Sequence, residues 1–561
     1  MFDADTYANF VSSLSEAQER LFPQYSGNRN DFDIIIIGSG VGGGVLADDL
    51  WDRLGDQRRI LVLEAGSYLY PTHVYNICRF PNADVASHFG CRTFSQAGDQ
   101  NSQNYIHELP QLNFGGRSIF WSGLIPMIQP WELDFFPPQV RQDLASGLLV
   151  TAGETMNESV TMGATAQAIV KKLQQSPLVQ DFFIQETPRA LHQPYLTREG
   201  VPTNRYFIEP TGVFNTAELL INQAGLTPGR NPDGPGLQIL LNHFVELVQN
   251  APANGFQLVA CNPLNGRVRN FQAGTVILAA GSIESPKLLR RSKLLFDALP
   301  DRVQQLVGVG LTDHPTTDWI NAFVTNIGNI PIPKDSGAKI IFYSRGRRDD
   351  QNQILYPFNV EMNVNHEYWH LRENDPDWVP PAHEEKPPPS RVEIKFSFGN
   401  CLYGGNAVKP AIRPFDYVPE ITFRNLKWMD HLADSRFPAL AGWRKNFDEI
   451  FAVLNDVTYK IFSQFQRDGR EARPENETWY GQNGKGFGYG TVHHAVCTLR
   501  MPHRWTYDGP FQDDSVVDEN LRVVGTQSLY VCDMSVMPFS SAANPVRTLV
   551  ALALRLSNHL G

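Results

Sequence analysis

Asp31 to Gly66 reads DFDIIIIGSGVGGGVLADDLWDRLGDQRRILVLEAG, and the order of its parts decides the fold. The unbroken β-branched run Ile34–Ile37 is what a strand buried on both faces of a parallel sheet looks like. Gly38, Gly40 and Gly43 follow in G-x-G-x-x-G spacing, directly after that strand and directly before a helical segment, Val45–Leu54. In such a turn the first glycine permits the tight bend, the second lets backbone approach a pyrophosphate, and the third lets helix and strand pack. The helix N-terminus then offers unpaired N–H groups to the anion. A second apolar run, Ile60–Leu63, ends in Glu64, about 20 to 26 residues beyond the glycines, where a carboxylate meets the ribose hydroxyls of adenosine. Strand, glycine turn, helix, strand and acid in this order point to an adenine dinucleotide site.

Working outward, 561 residues exceed what one core accommodates, so two domains or one elaborated domain are expected. Hydrophobic residues make up 42% and charged residues 19%, which describes a compact globule rather than a disordered chain. The formal net charge is −11 and no dense Lys/Arg run occurs, which argues against nucleic acid or an anionic membrane and for a small-molecule partner. The six cysteines, Cys78, Cys91, Cys261, Cys401, Cys497 and Cys532, are scattered without a C-x-x-C pair, which reads as thiol usage with neither a disulfide frame nor a metal cluster. No signal peptide and no apolar run of bilayer length is visible, so the expectation is a cytoplasmic protein without a transmembrane segment. On that ground the sequons at Asn157 and Asn476 read as chance.

Residues 1–30 read as an N-terminal helical arm. A long irregular connection to Pro110 leads to NFGGRSIFWSGLIP (113–126), whose paired glycines suit close backbone approach to a flat ring or a phosphate; taken alone, a glycine turn beside a core tryptophan explains it better. Trp131 to Ala190 is mainly helical in pattern, and Leu237–Gln249 alternates as a strand. Thr275–Leu289 repeats the strand, tight turn, helix grammar, with Ser285-Pro286 at the helix start. Residues 316–484 change to alternating runs such as Lys339–Tyr343 and Arg391–Phe398, the mark of an antiparallel sheet. A proline-rich insertion (379–390), a helical pair (Trp443–Leu454, Val457–Arg467) and a glycine-rich stretch (479–490) without a phosphate-loop Ser/Thr after Lys485 complete this part.

The last segment carries HHAVCTLRMP from His493 and VVDENLRVVGTQSLYVCDMSVMPFSSAANPVRTLVALALRL from Val516. Joined to the first motif, these blocks resemble the glucose-methanol-choline (GMC) family of FAD-dependent oxidoreductases. The matching positions are His494, Thr498 and Met501; Val517, Asp518, Arg522, Val523 and Gly525; Leu529, Val531, Asp533 and Ser535; and Asn544-Pro545. The resemblance implies an α/β fold: a Rossmann-like FAD domain from 31–125, 205–315 and 485–561, and a substrate-binding domain with a mainly antiparallel sheet and helices from 126–204 and 316–484. It implies His494 as the active-site histidine, Asn544 as its partner, and FAD held by Gly38, Gly40, Gly43, Glu64 and Asp533. Asn113, Gly115, Gly116 and Ser118 resemble the family's second glycine signature, and Val245 the residue whose backbone meets adenine.

Two departures stand out. Cys497 occupies a place usually held by glycine, and Trp121 one often held by asparagine; the latter makes the loop resemble the pyranose oxidase and sugar dehydrogenase branch. Phe120 stands where pyranose oxidase carries a flavin-linked histidine, so non-covalent FAD is expected. The chemistry agrees with the resemblance. A neutral imidazole accepts a hydroxyl proton near pH 7, Asn544 at a helix cap with Pro545 in the first position orients the same hydroxyl, and the helix behind it directs its positive end to a flavin. Adjacent residues point to opposite faces, so His493 packs behind His494 and the pair does not bind metal; His314 reads as structural. The expected activity is oxidation of an alcohol of a sugar, polyol or glycoside, with oxygen or a quinone as electron acceptor. A flavin-containing lyase or photodecarboxylase on the same fold is the alternative enzyme, and a binding protein with a relic cofactor fold the non-enzymatic one.

Overall fold

The structure, a computed structural model, describes residues 30–68, 93–98, 110–191, 213–225, 235–365, 390–423, 447–475, 492–504 and 512–561, apart from 56, 160–162, 252–254, 315, 335, 349, 351–353, 400–404 and 410–418. The N-terminal arm, the glycine-rich stretch after Trp479, nearly all of the proline-rich insertion, and Cys78, Cys91 and Cys401 fall outside those residues.

The chain opens as read: β1 (Asp31–Ile37), α1 (Val41–Leu54) and β2 (Arg59–Leu63). The helix starts four residues earlier than its apolar pattern and takes in Gly42, Gly43 and Gly44. Those glycines are required by contact, since a Cβ on Gly43 would lie 2.1 Å from the Gly38 carbonyl oxygen and one on Gly42 2.0 Å from that of Cys532. The chain then leaves this sheet for α2 (Ala164–Leu173) and β3 (Phe182–Glu186), and returns with α3 (Thr216–Gly225), β4 (Gly236–Leu240), β5 (Phe244–Ala251), β6 (Gly255–Cys261), β7 (Val268–Leu278) and α4 (Gly281–Arg291). It departs again for β8 (Ile320–Val324), β9 (Ala338–Ser344), β10 (Phe358–Val364), β11 (Ser390–Phe398) and α5 (Phe447–Phe462), and ends with β12 (Leu529–Val531) and α6 (Val546–Leu560).

These excursions build two principal sheets. In the first, the order is β4-β2-β1-β7-β6-β5, with β12 also paired to β7. Its β4, β2, β1, β7 and β12 run parallel, and β7, β6 and β5 form an antiparallel meander. Ile35, Ile36, Leu61, Val62, Val276 and Ile277 are wholly buried at its centre, each contributing about 1.5–3 kcal/mol by leaving water. The second sheet, β8-β11-β10-β9-β3, is antiparallel throughout and covers its own core against α2 and α5.

Several boundaries differ from the sequence reading. Leu237–Gln249 is two strands, because Asn242 adopts φ +57° and turns the chain between them. Within the segment read as mainly helical lies β3, which takes the edge of the second sheet. The expected helix over Val457–Arg467 is the end of one helix, α5, followed by a strand, Phe465–Arg467, that pairs with Asn326–Ile327. Leu133, Phe135, Phe136, Val140, Leu144, Leu149, Ala152 and Met156 are buried in the first core, although that interval was expected in the substrate-binding unit. No described helix is long and apolar enough to cross a membrane.

Candidate active site

One cavity of about 570 Å³ runs from the β1–α1 turn to the start of α6, so two stretches more than four hundred residues apart share a single space. Of the residues singled out by sequence, Gly38, Gly40, Glu64, Gly116, Ser118, Val245, His494, Asp533 and Asn544 line it, and so does His493, which was expected to pack behind His494. Gly43, Asn113, Gly115 and Pro545 are not in the lining and act from behind.

At the glycine turn, Gly38 has φ +107° and its missing Cβ would lie 2.5 Å from the Ala279 carbonyl oxygen, whereas a Cβ on Gly40 would meet nothing within 4 Å. Gly40 therefore presents bare backbone to the cavity at the N-terminus of α1, as an approaching pyrophosphate requires. Glu64 braces the turn: its Oε2 accepts from the Ser39 backbone N–H (3.1 Å) and hydroxyl (2.6 Å), and its Oε1 from the Gly66 N–H (2.8 Å). The Ser39 hydroxyl in turn accepts from the Gly115 N–H at 2.9 Å, and its carbonyl from the Thr216 hydroxyl at 2.8 Å. This chain joins the two glycine signatures, and a Cβ on Gly116 would lie 3.1 Å from the Gly40 Cα. Asn113 stabilises the second turn through its amide, which donates to the carbonyls of Phe114 (3.1 Å) and Gly116 (3.0 Å). Trp121 lines the cavity and anchors this loop by donating to the Phe214 carbonyl at 2.8 Å. Further along, a β-bulge follows Val245 in β5.

Asp533 joins the terminal block to α4. It accepts from the N–H of Gly281 (2.9 Å) and Ser535 (2.9 Å) and from the hydroxyls of Ser285 and Ser535 (2.5 Å each). Burial pushes its carboxyl pKa up, against the opposing pull of these donors. Ser285-Pro286 lies inside α4 and not at its start. Proline at 286 removes the N–H that would bond the Ser282 carbonyl, and that carbonyl accepts the Thr498 hydroxyl at 2.6 Å instead. The Ser282 hydroxyl donates to the Ala495 carbonyl at 2.6 Å. The histidine loop is thus clamped to the helix beside the cavity.

The loop also forms an antiparallel bridge to Thr312, with reciprocal backbone bonds between Thr312 and Val496 of 3.2 and 3.0 Å. That register sets position 314 opposite 494, and the two imidazoles meet edge to face with centroids 5.0 Å apart. His314 is therefore the neighbour of His494 as well as a buried residue of the frame. Cys497 keeps the turn its glycine counterpart would make by adopting φ +74°, and His493 adopts φ +60°. Each costs about 1–2 kcal/mol in the left-handed region.

Burial first, then the neighbouring His314, Lys395, His493 and Arg117, lower the pKa of His494 well below its usual value, so it is neutral at pH 7. Its Nδ1 is buried without a hydrogen-bond partner among the described residues. Burial likewise brings His314 down to about 4. Asn544 is not the cap of α6, because Pro545 takes that place and the helix begins at Val546. Its amide is left to the cavity. The preceding loop is held by Glu132, whose Oε1 accepts from the Ala542 N–H at 2.5 Å. Arg547, buried at 2% exposure, fixes the helix start through Glu158 at 2.8 and 2.6 Å.

Sequence reasoning missed Ser39, Thr216, Ser282, Glu132, Glu361 and Lys395. The last two had a visible signal, as charges within strands whose other phase is apolar. No group of three His, Cys, Asp or Glu able to hold a metal occurs among the described residues.

Comparison with known proteins bears on this arrangement. Residues 427–553 match the family model described as GMC oxidoreductase. A stretch of 70 residues is 41% identical to "Oxidoreductase cicC" of Emericella nidulans, covering 12% of this chain and 10% of that protein. The match thus spans about a tenth of that relative's length. Pyridoxine 4-oxidase from Mesorbium loti shares the fold with a TM-score of 0.57 at 16% identity, over 94% of this chain and 98% of that one. Residues 427–553 are thus similar to GMC oxidoreductases, and the chain has an α/β fold of the kind found in pyridoxine 4-oxidase.

Proposed function

We propose that the protein is an FAD-dependent oxidoreductase that oxidises an alcohol group, with His494 as the base and Asn544 as the orienting amide. The observation that carries this reading is the single cavity lined at one end by Gly38, Gly40 and Glu64 and at the other by His494 and Asn544. The residues fit FAD: bare backbone at Gly40, a carboxylate at Glu64, the bulged strand after Val245, and Asp533 at the Gly281 turn that opens α4. FAD, when bound, supplies the acceptor for the hydride leaving the carbinol carbon.

The protein's own part is to move a proton and to hold charge. The neutral His494 imidazole takes the hydroxyl proton, and burial keeps it unprotonated until the substrate arrives. The Asn544 amide supplies both a donor and an acceptor to the same oxygen. The start of α6, whose Val546 and Leu549 line the cavity, places the positive end of a 15-residue helix there, favouring negative charge that develops nearby. Phe120 at the cavity wall offers no nucleophile for a flavin link, which supports dissociable FAD. Within this reading the substrate is a sugar, polyol or glycoside, with oxygen or a quinone as acceptor.

His494→Ala tests it. FAD should stay bound, while anaerobic bleaching of the flavin by a substrate alcohol slows about 10²- to 10⁴-fold, the usual contribution of a positioned base. Bleaching at the original rate would refute the assignment.

A further inference from the structure

The second sheet is expected to bury one face and wet the other, as antiparallel sheets commonly do. It does not, since all of Phe358–Val364 is buried. The apolar phase packs on the second core, and the other phase of β10 and β11 is polar: Asn359, Glu361 and Asn363 beside Ser397, Lys395 and Glu393. Glu361 and Lys395 are direct cross-strand partners in this face and line the cavity that holds His494 and Asn544. Lys395 Nζ lies 3.1 Å from Glu361 Oε2, with the side chains only 13% and 11% exposed. The Ser397 hydroxyl donates to Glu361 Oε1 at 3.0 Å, and the ammonium sits 4.9 Å from the Trp319 ring centroid.

A buried ion pair is costly to desolvate, and well-packed apolar residues in its place are often neutral or stabilising. Its place at the reacting end of the cavity supplies another reason for it. We propose that Glu361 and Lys395 recognise a second, uncharged hydroxyl next to the one being oxidised, so that the enzyme selects neutral vicinal diols. This deepens the reading of the site given above and rests on it. A hydroxyl donates and accepts at once, so a single substrate oxygen bridges the carboxylate and the ammonium. A substrate anion would instead meet the Glu361 charge, and a plain alkyl group would leave both ions facing a non-polar surface.

The test uses the FAD-loaded enzyme and three ring compounds of one size: trans-cyclohexane-1,2-diol, cyclohexanol and 2-hydroxycyclohexanecarboxylate. Binding is measured by calorimetry and flavin reduction by anaerobic stopped flow, with wild type, Lys395→Met, Lys395→Arg and Glu361→Gln. The diol should exceed cyclohexanol in kcat/KM by about 100-fold or more, as expected where a site is built to bond a hydroxyl. Lys395→Met should erase that ratio by lowering the diol far more than cyclohexanol, with FAD content unchanged; Lys395→Arg should restore part of it. Glu361→Gln, which keeps shape, serves if Lys395→Met does not fold, and should weaken diol binding more than cyclohexanol binding. The proposal is overturned if wild type fails to bind the diol, prefers the carboxylate, or retains its preference in Lys395→Met. Loss of the ratio alongside an unimpaired His494→Ala variant would sink the base assignment and leave this one standing.

Discussion

Replacing Thr498 by Val isolates the clamp on the histidine loop. The substitution is nearly isosteric and removes one donor, the hydroxyl that meets the Ser282 carbonyl at 2.6 Å. That carbonyl is buried, and the helix supplies no i+4 N–H because residue 286 is proline. Leaving a buried acceptor unsatisfied costs about 1–3 kcal/mol. The cost falls on local opening of the loop, so exchange of the Val496 and Leu499 amides, which bond Thr312 and Ser535 at 3.0 and 2.9 Å, reports it. Exchange there should accelerate about 5- to 150-fold in Thr498→Val. Adding Pro286→Ala returns an N–H to the same carbonyl and should recover most of the protection, a coupling readable as a double-mutant cycle. Unchanged exchange in the single variant, or no recovery in the double, would refute the claim that one helix-interior proline frees an acceptor for the loop.

Four further outcomes are expected. Because His494 is depressed, kcat/KM should be flat from pH 8 down to about 6.5 and fall only below it, as the base is protonated at its lowered pKa; an acid limb centred at or above 6.5 contradicts this. Stability should follow the same sign: an imidazole kept neutral in the fold stabilises it above the unfolded pKa of about 6.5, and that contribution is lost as the pH falls toward the folded value. Glu158→Ala strips the partner from the Arg547 guanidinium and should cost about 2–3 kcal/mol by denaturant titration, less than the full penalty because Glu158 is 23% exposed. At Cys497, glycine should be more stable than alanine in a thermal melt, since both delete the buried thiol but only glycine relieves φ +74°.

How much of this was legible depends on how local each signal was. The β1–α1–β2 unit was readable because its apolar run, glycine spacing and closing acid are all near neighbours in the chain. The antiparallel character of β9 and β11 was readable from their alternation. The Phe465–Arg467 strand was not, because its partner Asn326–Ile327 is remote and the helical pattern runs through it. The glycines at 42 to 44 disguised the start of α1, where close approach to the Cys532 and Gly38 carbonyls outweighs their poor helix propensity. Ser39 and Thr216 gave no signal at all, since their roles exist only once the two glycine turns touch. The polar phase of β10 was visible, but alternation alone assigns it to solvent, and only burial on both faces turns it toward a substrate.

The histidine loop shows why its frame is so elaborate. Residues 493 and 497 both hold left-handed backbone without being glycine. A segment with that preference would relax unless contacts from outside over-determine it. They come from three directions: Ser282 and Pro286 on α4, Thr312 in the strand-like partner segment, and Ser535 beside Asp533. Asp533 ties two of these together, because it bonds both Ser535 and the start of α4. The position of the His494 imidazole is therefore tied to the carboxylate that organises the Gly281 turn at the start of α4, which makes the histidine loop and the helix beside the cavity one mechanical unit.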